Sequence, residues 1–250
     1  MSHSKHLKDR DIMTQKTQIN DGLNCLKEIC EKGYNKDGTK NVDYLSEKLR
    51  VNGYSDKKTN PKHEKCAAYY KECDTEKREK SICRCMFYYD ENSRKCKTSC
   101  KFKRKWHYIG TDIVITDYET PMEYKIDGIG NIDLRIKHKS VEYGVEVKPP
   151  ENNEETICRM VSEAMTYTID YPSYRPAIAV FGPSSDGKYK GSYQYDSVME
   201  LINENNEAFS VIRNYVNVFI ITMGNTNAKV VDFTIDPLRI MVKIISVAMC

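Results

Sequence analysis

Apolar and polar residues alternate in two neighbouring segments near the middle of the chain. The segments cover residues 131–137 and 143–148, and apolar side chains occupy every second position in each. A period of two is typical of a β-strand that buries one face. Lys139 and Ser140 separate the segments, and Pro149 ends the second, because proline cannot donate a hydrogen bond to a sheet. We therefore predict a β-hairpin over residues 131–148.

The rest of the chain contains further helices and strands. Apolar residues recur at helical spacing in residues 21–32, 42–51, 154–169 and 196–213. Strands are predicted at residues 112–118, 123–127, 177–181, 215–223 and 229–235. The run 177–181 is apolar throughout, which is typical of a strand buried on both faces. This order of elements predicts an α/β fold with a mixed central sheet flanked by helices.

Charge divides the chain of 250 residues into two regions. Residues 1–107 contain 26 Lys and Arg against 16 Asp and Glu, whereas residues 108–250 contain 13 against 20. We therefore predict a basic, cysteine-rich, partly helical region (1–107) followed by the α/β domain (108–250). A basic region beside an acidic one is typical of a nucleic-acid-binding protein with an acidic metal site. A lysine-rich, solvated surface would give the same counts.

Several classes of protein are not expected from this composition. The chain has no run of about 18 apolar residues and no apolar segment near its start, so we expect neither a transmembrane helix nor a secretory signal. We therefore expect a cytoplasmic protein with no membrane partner. In that compartment the ten cysteines are more often thiols or metal ligands than disulfides.

Four of these cysteines form two close pairs, Cys83-x-Cys85 and Cys96-x-x-x-Cys100. Four thiolates could hold a structural Zn²⁺ ion and stabilise a segment that has few aliphatic residues. Their spacing differs from that of two CxxC pairs, so free thiols and disulfides remain alternatives.

The polar face of the predicted hairpin carries the chemistry. Asp133 lies on one strand, and Glu146 and Lys148 lie on the next. If the strands pair, two carboxylates and an ammonium converge on one side of the sheet. Carboxylates are the usual protein ligands of Mg²⁺, and a nearby lysine can orient a water or stabilise charge on a phosphoryl group. The pattern predicts a site for Mg²⁺ or Mn²⁺, and a salt-bridged sheet face is the alternative.

These residues resemble a known family. Gly130-Asn-Ile-Asp133, followed by Glu146-Val-Lys148 and a helix, is similar to the PD-(D/E)XK nuclease superfamily. The helix carries Glu163-x-x-x-Tyr167, which resembles a motif of the branch that contains the RecB nuclease domain and the lambda-type exonucleases. That branch usually has Gln-x-x-x-Tyr, so Glu163 stands where Gln is usual. The resemblance covers roughly residues 112–181 and implies a restriction-endonuclease-like core that hydrolyses phosphodiesters with Mg²⁺.

The resemblance also implies a role for each matching residue. Asp133, Glu146 and the carbonyl group of Val147 would bind the metal, and Lys148 would assist the attacking water. Helical spacing places Glu163 and Tyr167 on the polar face of the helix predicted over residues 154–169. The resemblance implies that they position the nucleic-acid strand or support the site. The superfamily often has a further acidic ligand, for which the sequence offers the candidates Glu47, Glu123 and Asp127.

The expected function is therefore Mg²⁺-dependent cleavage of DNA, exonuclease-like rather than endonuclease-like. The charge pattern suits RNA as well, and the sequence does not indicate an oligomeric state. Residues 101–107 combine four basic side chains with two aromatic ones, which suits either contacts to phosphates and bases or a solvated linker. The alternative function is a non-catalytic nucleic-acid-binding or assembly protein on the same scaffold.

Overall fold

The computed structural model describes residues 2–49, 54–58, 78–88, 107–108, 113–122, 124–126, 131–149, 155–183, 187, 190–222 and 230–231. The helices are α1 (Ser2–Gly33), α2 (Val42–Leu49), α3 (Arg78–Tyr88), α4 (Ile157–Thr168), α5 (Tyr193–Asn203) and α6 (Glu207–Ile212). The strands are β1 (Tyr54–Lys58), β2 (His107–Tyr108), β3 (Ile113–Thr120), β4 (Tyr124–Ile126), β5 (Ile132–His138), β6 (Val141–Val147), β7 (Tyr174–Gly182), β8 (Asn217–Thr222) and β9 (Val230–Val231).

Five strands form the central sheet in the order β3-β5-β6-β7-β8. Strand β5 is antiparallel to both β3 and β6, whereas β6, β7 and β8 run parallel. Strand β1 pairs with β4 and β2 with β9 in two short additional sheets. The mixed sheet with helices on its faces confirms the α/β prediction.

The predicted hairpin is present as β5 and β6. Leu134 lies opposite Val145, and Ile136 lies opposite Tyr143, so that apolar side chains pair across the strands. The turn falls at residues 139–140, where Lys139 takes a positive φ of 54°. Alternation of apolar and polar residues therefore sets the register of the two strands that carry the candidate site.

Two apolar cores lie on opposite faces of this sheet. Helices α1, α2, α4, α5 and α6 cover one face, where Ile178, Val180 and Ile220 are buried. Helix α3 covers the other face, where Ile82, Cys83, Met86 and Phe87 belong to a core that also includes Leu134, Val145 and Phe181. Helices from the predicted basic region thus pack directly on the sheet of the predicted α/β domain.

Helix boundaries differ from the prediction at two places. The predicted helix over residues 196–213 is two helices, because Asn205 takes a positive φ of 51° and Asn206 caps α6 by accepting a hydrogen bond from the N–H of Phe209. Helix α1 begins far before residue 21, in a polar stretch that lacks a periodic apolar stripe. No helix in the described ranges combines the length and the apolar character that a membrane crossing requires.

Candidate metal centre

One edge of the sheet collects the polar side chains of the candidate site. Asp133 lies near the start of β5, and Glu146 lies near the end of β6. Because β5 is antiparallel to β3 and β6, the start of β5 meets the ends of both neighbours. Glu119 near the end of β3 and Lys148 directly after β6 therefore reach the same edge.

Three carboxylates meet at this edge. One oxygen from each of Glu79, Asp133 and Glu146 lies within 4.8 Å of the others. Opposite oxygen ligands of one Mg²⁺ ion are about 4.2 Å apart, since each bond is about 2.1 Å long. The separation of these oxygens is therefore close to that of ligands around a single divalent cation. The structure brings the predicted pair Asp133 and Glu146 together and adds Glu79.

The two sheet carboxylates are buried. Asp133 is 4 % exposed and Glu146 1 % exposed. Oδ2 of Asp133 accepts a hydrogen bond of 2.8 Å from the N–H of Val147. Burial raises the pKa of both carboxyl groups, and their mutual repulsion raises that of Glu146 further. Two buried carboxylates so close together need positive charge to remain ionised at neutral pH.

Lys148 supplies part of that charge. Its Nζ contacts Oε1 of Glu146 and lies 3.4 Å from Oε2 of Glu163 and 3.5 Å from Oε2 of Glu79. Burial lowers the pKa of Lys148, but the carboxylates of Glu146, Asp133 and Glu79 outweigh this effect and raise the pKa above its ordinary value. The ammonium is therefore shared among three carboxylates rather than paired with one.

Glu163 approaches the cluster from helix α4. The side chain of Thr156 caps this helix by accepting a hydrogen bond from the N–H of Arg159, and Nε of Arg159 donates to Oε1 of Glu163 at 2.9 Å. Burial raises the pKa of Glu163, but Glu146, Lys148 and Arg159 together bring it below its ordinary value. Glu163 is therefore held between two cations, at the place where the sequence predicts a supporting residue.

A buried carboxylate with unfilled hydrogen-bonding capacity marks the centre of the cluster. Within the described part of the chain, neither oxygen of Glu146 accepts a hydrogen bond of normal geometry, although Oε1 touches the ammonium of Lys148 and Glu163 lies close by. Buried anions are ordinarily paired, hydrogen-bonded or bound to a metal. The one positive charge of Lys148 does not balance three carboxylates, so the oxygens of Glu79, Asp133 and Glu146 fit a hard divalent cation such as Mg²⁺ or Mn²⁺.

Glu79 is the acidic residue that sequence reasoning missed. It lies in the first turn of α3, one helical turn before the fully buried Cys83. The spacing of Ile82, Cys83, Met86 and Phe87 is a helical stripe and could have revealed this helix. Of the candidates named from sequence, Glu47 is exposed on α2 beside Lys48 and does not join the cluster. Glu123 and Asp127 lie outside the described residues.

Tyr167 differs from its predicted position on a polar helix face. It is 5 % exposed and packs with Met122, Ile132 and Tyr174. Burial raises the pKa of its hydroxyl, and the carboxylates of Glu146 and Asp133 raise it further, so the hydroxyl keeps its proton. The prediction of a polar face is wrong because the side of α4 that carries Glu163 and Tyr167 faces the sheet.

A second ion pair fastens α3 beside the cluster. The ammonium of Lys80 contacts Oε2 of Glu119, a residue that is 1 % exposed and takes a positive φ of 49°. Burial raises the pKa of Glu119, although Lys80 opposes that effect. Since Lys80 follows Glu79 directly, this contact fixes the helical turn from which Glu79 reaches the cluster.

The predicted zinc site lies mainly beyond the described side chains. Cys83 is fully buried in the apolar core of α3, and burial raises the pKa of its thiol, which disfavours the thiolate that zinc requires. Cys96 and Cys100 lie outside the described residues, as does the side chain of Cys85. Zinc binding stays a prediction, as does the role of the Val147 carbonyl as a metal ligand.

Comparisons with known proteins provide no relative that would assign these residues a role. No protein-family model, curated protein or solved structure matches the chain. The carboxylate cluster is therefore interpreted from its own geometry and charge.

Proposed function

We propose that this protein is a divalent-metal-dependent nuclease with a restriction-endonuclease-like core, as its resemblance to the PD-(D/E)XK superfamily implies. The observation that carries the proposal is the buried carboxylate of Glu146. Its oxygens form no hydrogen bond of normal geometry with the residues that the structure describes, and they lie beside Asp133, Glu79 and the ammonium of Lys148. Carboxylates and a lysine in this arrangement serve phosphoryl-transfer chemistry.

The residues of the cluster have separate roles in this proposal. Glu79, Asp133 and Glu146 would hold the cation, which supplies Lewis-acid polarisation of the phosphate and activation of water. Lys148 places a positive charge beside these carboxylates, where it stabilises charge that develops on the phosphate oxygens. The 2.9 Å hydrogen bond from Arg159 orients the carboxylate of Glu163 beside Lys148.

Access to the cluster favours catalysis over a purely structural ion. Structural metal sites are closed by protein ligands, whereas catalytic sites keep a position for water or substrate. The side chain of Glu79 is 32 % exposed, while that of Glu146 is 1 % exposed. The cluster is thus closed on the side of the sheet and reachable beside α3.

The proposed substrate is DNA, and the proposed mode of cleavage is exonuclease-like. The support for a polyanionic substrate is the excess of 26 basic over 16 acidic residues in residues 1–107. A non-catalytic nucleic-acid-binding protein is the alternative outcome of the test below. The same assay tests RNA as the substrate when a labelled RNA replaces the labelled DNA.

The test incubates the purified protein with labelled linear, circular and single-stranded DNA, and with RNA, in Mg²⁺, Mn²⁺ or EDTA. We expect cleavage of a DNA with a free end in the presence of metal and none in EDTA. The matched variants are Asp133→Asn, which removes one charge from the cluster, and Glu47→Gln, which removes one charge from an exposed helix. Retardation of DNA in a gel without cleavage in either metal, or full activity of Asp133→Asn, would contradict the proposal.

A further inference from the structure

A cavity of about 260 Å³ opens at the edge of the sheet opposite the carboxylates. It lies at the start of β7, where Tyr174, Arg175 and Pro176 contribute to its wall. Tyr174 pairs with Glu142, and Ile178 pairs with Glu146, so four residues of strand separate the cavity from the carboxylate cluster. At about 3.3 Å per residue, this separation is roughly 13 Å. The cavity is therefore a distinct site.

Aromatic rings form one part of this cavity. Tyr34 and Tyr215 both line it, with ring centroids 5.7 Å apart and planes inclined by 35°. Tyr34 is buried and Tyr215 is half-buried. The Tyr34 hydroxyl is also buried and lies near Thr168, and among the described residues it has no hydrogen bond of normal geometry. These rings offer an apolar surface for a flat group, together with a hydroxyl that can still accept a partner.

Cations form the opposite part of the cavity. Lys36 and Arg175 line it and are exposed, and neither forms an ion pair with another residue of the described chain. No carboxylate belongs to the described residues that line the cavity. Lys40 adds a third positive charge, and its Nζ donates to the carbonyl oxygens of Thr168 and Tyr171 at 2.6 and 2.7 Å. Because both carbonyl oxygens already accept a hydrogen bond from Lys40, they do not repel an anion in the cavity.

The loop that carries Lys36 is held in a fixed shape. The N–H of Asn35 donates to the carbonyl of Thr39 at 2.8 Å, and Oδ1 of Asp37 accepts from the N–H and hydroxyl of Thr39. Gly38 takes a positive φ of 85°, and a Cβ added there would lie 3.3 Å from Nη2 of Arg175. Glycine therefore lets the guanidinium group of Arg175 lie against the loop, which preorganises the cationic side of the cavity.

We infer that this cavity binds a nucleotide, with the base against the tyrosine rings and the phosphate beside Lys36 and Arg175. Its volume of about 260 Å³ is close to the lower end, about 300 Å³, of the pockets that hold small organic ligands, and it is larger than inorganic phosphate needs. Stacking on aromatic rings and pairing with lysine and arginine are the two contacts by which proteins hold a nucleotide irrespective of its base. The nucleotide can be free or part of a strand, because both present the same base and phosphate.

Isothermal titration calorimetry of the full chain in EDTA tests this inference. The probes are deoxyadenosine 5′-monophosphate, deoxyadenosine, inorganic phosphate and a 5′-phosphorylated single-stranded deoxyadenosine tetramer. We expect at least one of the two nucleotide probes to bind at least about tenfold more tightly than deoxyadenosine and phosphate do. A tighter tetramer would identify a strand as the source, and an equal or tighter mononucleotide would identify a free nucleotide.

The variants separate this cavity from the carboxylate cluster. We expect nucleotide binding to weaken about tenfold in each of three variants, Lys36→Ala, Arg175→Ala and Tyr215→Ala. Tyr215→Phe keeps the aromatic ring and should bind the nucleotide as the wild type does. Lys137→Ala removes one exposed charge elsewhere on the sheet and should have no effect. Asp133→Asn should bind the nucleotide normally, so failure of the proposed nuclease activity leaves this result intact. Binding of phosphate as tight as that of both nucleotide probes, or equal binding by Arg175→Ala and wild type, would overturn the inference.

Discussion

The carboxylate of Asp133 is bonded to the strand that carries the other two residues of the predicted motif. Its Oδ2 accepts a hydrogen bond of 2.8 Å from the N–H of Val147, which lies between Glu146 and Lys148. A slip of one residue between β5 and β6 would turn these side chains to the opposite face of the sheet. This single hydrogen bond therefore links the register of the hairpin to the assembly of the cluster.

The role of Glu79 can be separated from that of an ordinary acidic residue. We expect Glu79→Gln to weaken Mn²⁺ binding by at least about tenfold, because a neutral amide replaces one of three charged oxygen donors. Glu47→Gln is the matched control, since Glu47 is exposed on α2. Titration of Mn²⁺ followed by electron paramagnetic resonance measures both affinities. Equal affinities in the two variants would remove Glu79 from the site.

Lys148 tests chemistry separately from metal binding. We expect Lys148→Ala to reduce cleavage roughly a hundred- to a thousandfold, or about 3–4 kcal/mol, because a positioned charge at the developing oxyanion is lost. Lys148→Arg should not restore activity, since the guanidinium group is planar and larger than an ammonium. Metal and DNA binding should persist in both variants. Cleavage rates and affinities measured on the same preparations decide the matter.

The matched control for this experiment is Lys137→Ala. Lys137 also lies on the hairpin but is exposed, and its removal changes the net charge by the same amount. Full activity of Lys148→Ala would show that Glu146 and Lys148 form an ordinary strand face, and the nuclease proposal would fail with it.

The packing of α4 on β6 depends on a glycine. A Cβ added at Gly144 would lie 2.6 Å from Cγ2 of Thr168, which is too close for two carbon atoms. The next atom, Cδ1 of Ile132, would lie 3.6 Å from the added Cβ. We therefore expect Gly144→Ala to lower the free energy of unfolding by about 1–3 kcal/mol. Thr168→Ser removes the clashing methyl group and keeps the hydroxyl that donates to the carbonyls of Ala164 and Met165.

A double-mutant cycle checks this contact. The Gly144→Ala, Thr168→Ser protein should regain most of the stability lost in Gly144→Ala, as measured by urea denaturation. Additive losses in the double variant would mean that Thr168 is not the side chain that excludes a larger residue.

Lys40 gives a pH dependence whose sign can be worked out. Burial lowers its pKa from 10.5 to about 8, although the charge of Asp170 opposes the shift. Between these two pH values the unfolded chain binds more protons than the folded chain, so the free energy of unfolding should rise with pH. The contribution of Lys40 to this slope approaches about 1.4 kcal/mol per pH unit where the unfolded chain binds one proton more than the folded chain.

Urea denaturation at pH 8, 9 and 10 measures this slope in the wild type and in Lys40→Met. The difference between the two slopes isolates Lys40, because all other titrating groups are common to both proteins. Equal slopes would show that the pKa of Lys40 is the same in the folded and the unfolded chain. The hydrogen bonds to the carbonyl oxygens of Thr168 and Tyr171 would then stabilise the ammonium as well as water does.

The hairpin and its site residues could be predicted because their signal is local. Alternation in residues 131–137 and 143–148 predicts the pairing of residues 134–138 with 141–145, and Asp133, Glu146 and Lys148 meet just beyond that ladder. Ile132 departs from the pattern, because it packs with Tyr167 whereas Leu134 and Ile136 share a core with α3. Only two residues separate the strands, so no distant contact is needed to set their register.

The remaining parts of the site depend on contacts between distant segments. Glu79 reaches the cluster only because α3 packs across the sheet, and that helix lies in a part of the chain with few aliphatic residues. Tyr167 is polar by residue type, but its helix face is set by the position of the sheet, which the sequence of α4 alone does not reveal.

The short turn between β5 and β6 has a consequence for the order of folding. A hairpin closed by a two-residue turn forms in about 1–10 µs, whereas Glu79 is 54 residues from Asp133 and must close a much longer loop. We expect the carboxylates of Asp133 and Glu146 to meet early in refolding and that of Glu79 to arrive when α3 docks. A divalent cation would then act mainly by slowing unfolding, because the contacts it ties together form late.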